Sequence, residues 1–234
     1  SALCGGHLDI VKLLIKKFNI DPSSDDNHAI RVAAKNGYSD IVKMLLEDYR
    51  VDPRAQYNYA LLAAIRRGCA GDMYSYHTGK QPRDNASYID IIKILLEDKR
   101  IDPSTNCNEA LYTSIKIGNV DIIKLLLQDI RVDPRANCNE ALYTSTKFGN
   151  VEVTELLLDD PRIEPSSFDN KALRSAAFHH NTKIVDIILR SKRFKSSSSS
   201  TEIEKIAVDK MENHVNNTVD IIIKLDGIST IPHD

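Results

Sequence analysis

The sequence predicts an all-α fold, a solenoid of stacked antiparallel helix pairs with shortened loops between them. Two observations carry this. An acid followed by proline recurs at Asp21-Pro22, Asp52-Pro53, Asp102-Pro103, Asp133-Pro134 and Glu164-Pro165, with an asparagine six residues after each acid, at Asn27, Asn58, Asn108, Asn139 and Asn170. The intervals between the acids are 31, 50, 31 and 31 residues, so one is longer by 19 and the others agree. Self-similarity at a period of about 20–50 residues marks a repeat array, in which each repeat buries its apolar face only against its neighbours. The second observation is that each interval holds two short stretches with helical apolar spacing.

Residues 21–51 show one repeat. Asp21-Pro22-Ser23 suits a turn, because proline presets φ and a short acid accepts nearby backbone hydrogen bonds. Asparagine is among the best N-caps, so the first helix is expected immediately after Asn27, with Asn58, Asn108, Asn139 and Asn170 capping its counterparts. Gly37 is expected to end that helix in a left-handed residue. The second helix is Asp40-Ile41-Val42-Lys43-Met44-Leu45-Leu46, with Ile41, Met44 and Leu45 in one apolar stripe.

The other repeats fit this template. Alanine recurs in the first helix at Ala29, Ala60, Ala110, Ala141 and Ala172, and four residues on comes Ala33, Ala64, Ser114, Ser145 or Ala176. Small residues at that spacing let neighbouring helices approach closely. Glycine recurs at Gly6, Gly37, Gly68, Gly118 and Gly149, with His180 in its place in the next repeat. The whole of 1–234 reads as a single solenoid: a partial repeat at 1–20, repeats at 21–51, 52–101, 102–132, 133–163 and 164–194, a divergent capping repeat at 195–225 and a tail at 226–234. The chain begins inside a repeat, which suggests part of a longer protein.

The run from Ala29 to Leu46 resembles the ankyrin repeat, whose fingerprint reads T-P-L-H-x-A-A-x-x-G-H-x-x-I-V-x-x-L-L, and the likeness extends over residues 1–194. Alanine replaces the helix-opening proline, asparagine stands in for the capping threonine, and the period is 31 rather than 33. The link between repeats should therefore be shorter than the usual ankyrin finger, with little or no β-hairpin. This short D-P-S variant resembles arrays expanded in amoebae, other protists and giant DNA viruses. The resemblance implies a non-enzymatic protein-binding scaffold.

Residues 69–87 are extra and interrupt the turn between the helices of the third repeat, a surface position where added length costs little closure entropy. With Tyr74 and Tyr76 the segment reads either as a contact element or as a tolerated insertion. Its glycines do not form a phosphate loop, because the spacing is wrong and Gln81 stands where serine or threonine is needed.

At 42% apolar, 27% charged and a net charge near −2, the composition is that of a folded protein and gives no bulk attraction to nucleic acid or an anionic membrane. No apolar run approaches the ~18 residues of a membrane span. Cys4, Cys69, Cys107 and Cys138 make no C-x-x-C pair. Cys107 and Cys138 share one repeat position, which suggests a common packing slot rather than a disulfide or metal site, in a reducing compartment such as the cytoplasm, or in host cytoplasm or a virion if viral. No catalytic, metal or cofactor set is expected: His179 and His180 are adjacent and point apart on a helix, and no serine pairs with a base.

Arg50, Arg100, Arg131 and Arg162 precede the next anchor acid by two residues. With Asp48, Asp98, Asp129 and Asp160 two residues earlier still, and the anchor acids Asp21, Asp52, Asp102 and Asp133, they are expected to form an exposed, interleaved ionic ladder, so that Arg131→Met should leave stability nearly unchanged. In the resemblance, the first helices and the loops between repeats line a concave binding face. Arg54, Tyr57, Tyr59, Arg66, Lys116, Arg135 and Lys147, with Tyr74 and Tyr76 in the insertion, are the candidate contacts, and arginine and tyrosine are favoured at binding hot spots. Glu109 and Glu140 oppose a simple cationic groove, and stacking aromatics do not recur in step with the basic residues, so another protein or peptide is the expected partner rather than nucleic acid. Two alternatives stay open: the substrate-recognition arm of a ubiquitin ligase, although 201–234 lacks an F-box-like cluster, and a component that self-assembles or enters a larger particle.

Overall fold

A computed structural model describes residues 5–68 and 85–194. They form eleven α-helices and no strand: α1 Leu8–Lys16, α2 Ser24–Lys35, α3 Ser39–Leu46, α4 Ala55–Gly68, α5 Asn85–Glu97, α6 Thr105–Ile117, α7 Val120–Gln128, α8 Ala136–Lys147, α9 Val151–Asp159, α10 Ser167–Phe178 and α11 Thr182–Arg190. The expected links without a β-hairpin are therefore found among the described residues. Residues 69–84, most of the insertion, and 195–234, the expected capping repeat and tail, lie outside them.

The chain divides into two compact units, Ser1–Asp133 and Pro134–Asp234. In the first, α2, α4 and α6 pack side by side in order, and α3, α5 and α7 stack behind them, with α1 against α3. In the second, α8 packs on α9 and α10 on α11 within each repeat, while α8 packs on α10 and α9 on α11 between the two repeats. Ala33, Ala64, Ser114, Ser145 and Ala176 are fully buried, which is what close helix approach requires. The two serines satisfy their hydroxyls within their own helices: Ser114 Oγ donates to the Leu111 carbonyl at 2.7 Å and Ser145 Oγ to the Leu142 carbonyl at 2.8 Å. In α3 the core stripe is Ile41, Val42 and Leu45, with Met44 half-buried rather than in the core.

The turn before each first helix departs from expectation. Asp25, Asp26 and Asn27 have φ of 55°, 54° and 59°, and right-handed helix resumes only at His28. The same left-handed turn recurs at Gln56-Tyr57-Asn58, Asn106-Cys107-Asn108 and Asn137-Cys138-Asn139. Phe168 and Asn170 are also left-handed. Left-handed residues cost roughly 1–2 kcal/mol each, least for asparagine and aspartate.

The asparagines therefore are not N-caps, although the right-handed helix does begin after them. An N-cap needs extended φ and turns its side chain to its own helix. Here the buried amides reach to the next anchor. Asn58 Nδ2 donates to the Asp102 carbonyl at 2.6 Å and to Thr105 Oγ1 at 3.0 Å. Asn108 Nδ2 donates to the Asp133 carbonyl at 2.9 Å, and Asn139 Nδ2 to that of Glu164 at 2.9 Å. Asn27 is reversed, its Oδ1 accepting from the Asp52 N–H at 2.7 Å. Asn170 is buried at the corresponding position.

Helix ends follow the sequence more closely. Gly37, Gly118 and Gly149 adopt φ of 74°, 80° and 70°, and His180 takes the same left-handed conformation at 56°. The insertion does not resume the template at Tyr88: α5 already starts at Asn85, so Asn85, Ala86 and Ser87 lengthen the second helix by nearly a turn. Cys107 and Cys138 are in no disulfide and are exposed at the middle of left-handed turns. They occupy no packing slot, because that position of the turn faces outward.

Candidate functional site

The arginines keep the half of the expected ladder that lies within their own repeat and replace the anchor acids with main-chain oxygens. Each binds the aspartate two residues before it in the same repeat: Arg50 with Asp48 at 2.7 Å, Arg100 with Asp98 at 2.6 Å, Arg131 with Asp129 at 2.5 Å and Arg162 with Asp160 at 2.7 Å. The Arg100 and Arg131 guanidinium groups, bonded to Asp98 and Asp129, hold those carboxyls below the usual carboxylate range. The same guanidiniums then donate to main-chain oxygens of the preceding repeat. Arg100 reaches the Val51 and Leu46 carbonyls at 2.8 and 3.0 Å, and Arg131 those of Ile101 and Leu96 at 2.6 and 2.7 Å. Arg193 repeats the pattern on Ile163, Asp160 and Leu158. Leu46 and Leu96 lie at the end of a second helix, where unsatisfied carbonyls and the helix dipole favour a cation.

The anchor acids shape their own turns instead of completing an ionic ladder. Asp21 Oδ1 accepts from the Ser23 N–H and Oγ at 2.9 and 2.7 Å, and Asp102 does the same with Ser104 at 2.9 and 2.7 Å. Asp52 takes the Arg54 N–H at 3.0 Å and its guanidinium at 2.9 Å, and that side-chain bond lowers the Asp52 carboxyl. Asp133 contributes its carbonyl to Asn108.

Of the candidates in the compact unit Ser1–Asp133, Arg54, Tyr57, Arg66 and Lys116 are exposed and Tyr59 is half-buried. Arg54 and Tyr57 line one open recess with Gln56, Asn58, Asp102 and Thr105. Tyr57 is 70% exposed, held outward by its left-handed backbone. Tyr59 is half-buried under the Arg31 guanidinium, 5.5 Å from its ring centre. Arg31 also donates to Gln56 Oε1 at 2.8 Å and to the Asp25 and Asp26 carbonyls at 2.9 and 3.0 Å, clamping the first left-handed turn. Arg66 pairs with Glu109 at 2.9 Å, and Lys116 is exposed in the last turn of α6.

In Pro134–Asp234, Arg135 stands exposed before α8 and Lys147 at its end. Tyr143 lies between two ammonium groups, Lys171 Nζ at 4.2 Å and Lys147 Nζ at 6.0 Å from its ring centre, while Lys171 also pairs with Glu140 at 3.1 Å. Tyr74 and Tyr76 lie outside the described residues. Sequence reasoning overlooked Arg31, Tyr143 and Lys171; counting four residues on from Asn27 and Asn139, and one from Asn170, points to them.

No group of three or more His, Cys, Asp or Glu among the described residues could hold a metal ion. No described helix is long and apolar enough to cross a membrane.

Within each unit, helix pairs stacked on one another and tied repeat to repeat define a helical repeat protein. A family model described as ankyrin repeats (3 copies) matches residues 1–57 and 84–169, and the chain belongs to the ankyrin-repeat family. Comparison with curated proteins gives no match. Ankyrin repeats are in general protein–protein interaction modules, typically without enzymatic activity.

Proposed function

We propose that this chain is a protein-binding scaffold that holds its partner on the exposed face of the first helices and their left-handed turns. The observation that carries this reading is the division of labour within each repeat. Buried asparagines and half-buried arginines tie repeats together, while Arg54, Tyr57, Lys116, Arg135 and Lys147 are exposed. Aromatic and arginine side chains presented on a rigid frame lose little entropy on binding. Cys107 and Cys138, exposed and in no disulfide, favour a reducing compartment.

The test compares partner capture by the wild type with capture by two triple variants. One alters the proposed face within Ser1–Asp133 (Arg54→Ala, Tyr57→Ala, Lys116→Ala) and the other the outer face of the second helices (Lys43→Ala, Lys93→Ala, Lys124→Ala). Selective loss in the first supports the reading; equal capture by both overturns it.

A second reading, self-association, is favoured by one observation: Ile10, Leu13, Phe18 and Ile20, in and just after α1, are exposed. Sedimentation at micromolar concentration, with and without Leu13→Glu, tests it. The ligase-arm reading has no support in the described residues, since 201–234 lies outside them.

A further inference from the structure

We propose that the partner segment taken by Ser1–Asp133 is acidic, extended as a polyproline II helix, and carries a carboxylate at every third residue. This rests on the helix face named above being the binding face. Lys35, Arg66 and Lys116 occupy the same position of consecutive repeats, near the end of α2, α4 and α6, and all three are exposed. Among the described residues, Lys35 and Lys116 have no acidic partner, and Arg66, its side chain 50% exposed, has only Glu109, 36% exposed, at 2.9 Å. Exposed pairs of that kind are worth little and exchange readily.

Because α2, α4 and α6 pack side by side, the three cations form a row whose spacing follows the interaxial distance, roughly 8–10 Å. A ligand must match both that spacing and a single face. A β-strand puts residues i and i+3 on opposite faces. An α-helix returns to one face at i+3 or i+4, about 4.5–6 Å along its axis, and next at i+7, about 10.5 Å, on either side of that spacing. A polyproline II helix has three residues per turn and rises about 3.1 Å per residue, so i, i+3 and i+6 share one face at about 9.3 Å intervals. It also makes no internal hydrogen bonds and is stiff, which lowers the ordering cost of binding. Phosphates along a nucleic-acid strand recur far more closely, about every 3.4 Å of helix axis.

The experiment measures binding of fluorescent peptides to the full chain by anisotropy at low and physiological salt. The probe is E-P-A-E-P-A-E, compared with an isomer that clusters the three glutamates and with a single-stranded oligothymidine. The spaced peptide should bind at least about fivefold tighter than the isomer. Lys35→Ala and Lys116→Ala should each weaken it about two- to fivefold, and Lys124→Ala, on the second-helix face, should leave it unchanged. Equal binding of the two peptides, indifference to Lys35→Ala and Lys116→Ala, or tighter binding of the oligonucleotide each overturns the proposal. If the peptides fail while the triple variant of the first-helix face still loses its captured partner, the spacing inference falls and the scaffold reading stands.

Discussion

Arg131 Nη2 donates to the Leu96 carbonyl 2.7 Å away while the same nitrogen pairs with Asp129 at 2.5 Å, so one guanidinium joins two successive repeats and one acid. The Arg131 side chain is 32% exposed and that of Asp129 13%, which places the pair between a surface bridge and a buried one. Removing one partner of a half-buried pair leaves the other and two carbonyls short of donors.

Arg131→Met is therefore expected to destabilise the chain by about 2–3 kcal/mol, not to be neutral. Urea unfolding followed by circular dichroism measures it. A change within a few tenths of a kcal/mol would show that water replaces the guanidinium at no cost.

Asn139 carries two roles that substitution separates. Asn139→Gly keeps the left-handed φ of 56° but loses the bond to the Glu164 carbonyl, and should cost about 1–2 kcal/mol. Asn139→Ala loses both and should cost about 2–4 kcal/mol. Thermal melts of the two variants check the order; equal losses would mean that the backbone conformation is not under strain.

Cys138 sits exposed at φ 62°. Cys138→Gly relieves a left-handed β-carbon at some entropic cost, for a net gain of about 0.5–1 kcal/mol, whereas the β-branched Cys138→Val should lose about 1 kcal/mol or more. Chemical denaturation midpoints should move in opposite directions.

The acid response follows from Asp129. Its carboxyl, hydrogen-bonded to Arg131, titrates below its ordinary 3.8 in the folded chain, so near that pH the unfolded chain binds the proton more readily. The stabilisation is then present in full above the unfolded pKa, near pH 4, and is lost as pH falls through the lowered folded value. The stability difference between wild type and Asp129→Asn should be widest at neutral pH and close below about pH 4. A pH-independent difference would remove titration of Asp129 from the account.

Much of the fold was legible in the sequence. The 31-residue step, the small-residue columns of the first helices and four of the five left-handed glycines reappear, because spacing and size alone dictate them; Gly68 stays within α4 instead. The asparagine was legible in place but not in role. Asparagine is favoured both as an N-cap and in left-handed backbone, and only the next anchor, 25 residues on from Asn27, Asn108 and Asn139, decides between them. Gln56, Tyr57 and Phe168 gave no hint of left-handed turns, since none favours that conformation alone; the turn geometry is imposed by the whole repeat. Arginine columns suggested acids as partners because acids are visible in a sequence and main-chain carbonyls are not. Among the site residues, Arg54 and Tyr57 are exposed and line one recess, whereas the clamping Arg31 and the flanked Tyr143 depend on neighbours in the adjacent repeat.

The Asn108, Asn139, Arg100 and Arg131 links all end on peptide oxygens of the neighbouring repeat. A peptide oxygen is supplied by any residue, so a repeat that carries its own asparagine and arginine needs no matched side chain next door. Copies can thus be gained, lost or exchanged by duplication without co-adaptation across the junction, and the exposed positions can diversify while the joint between modules stays the same.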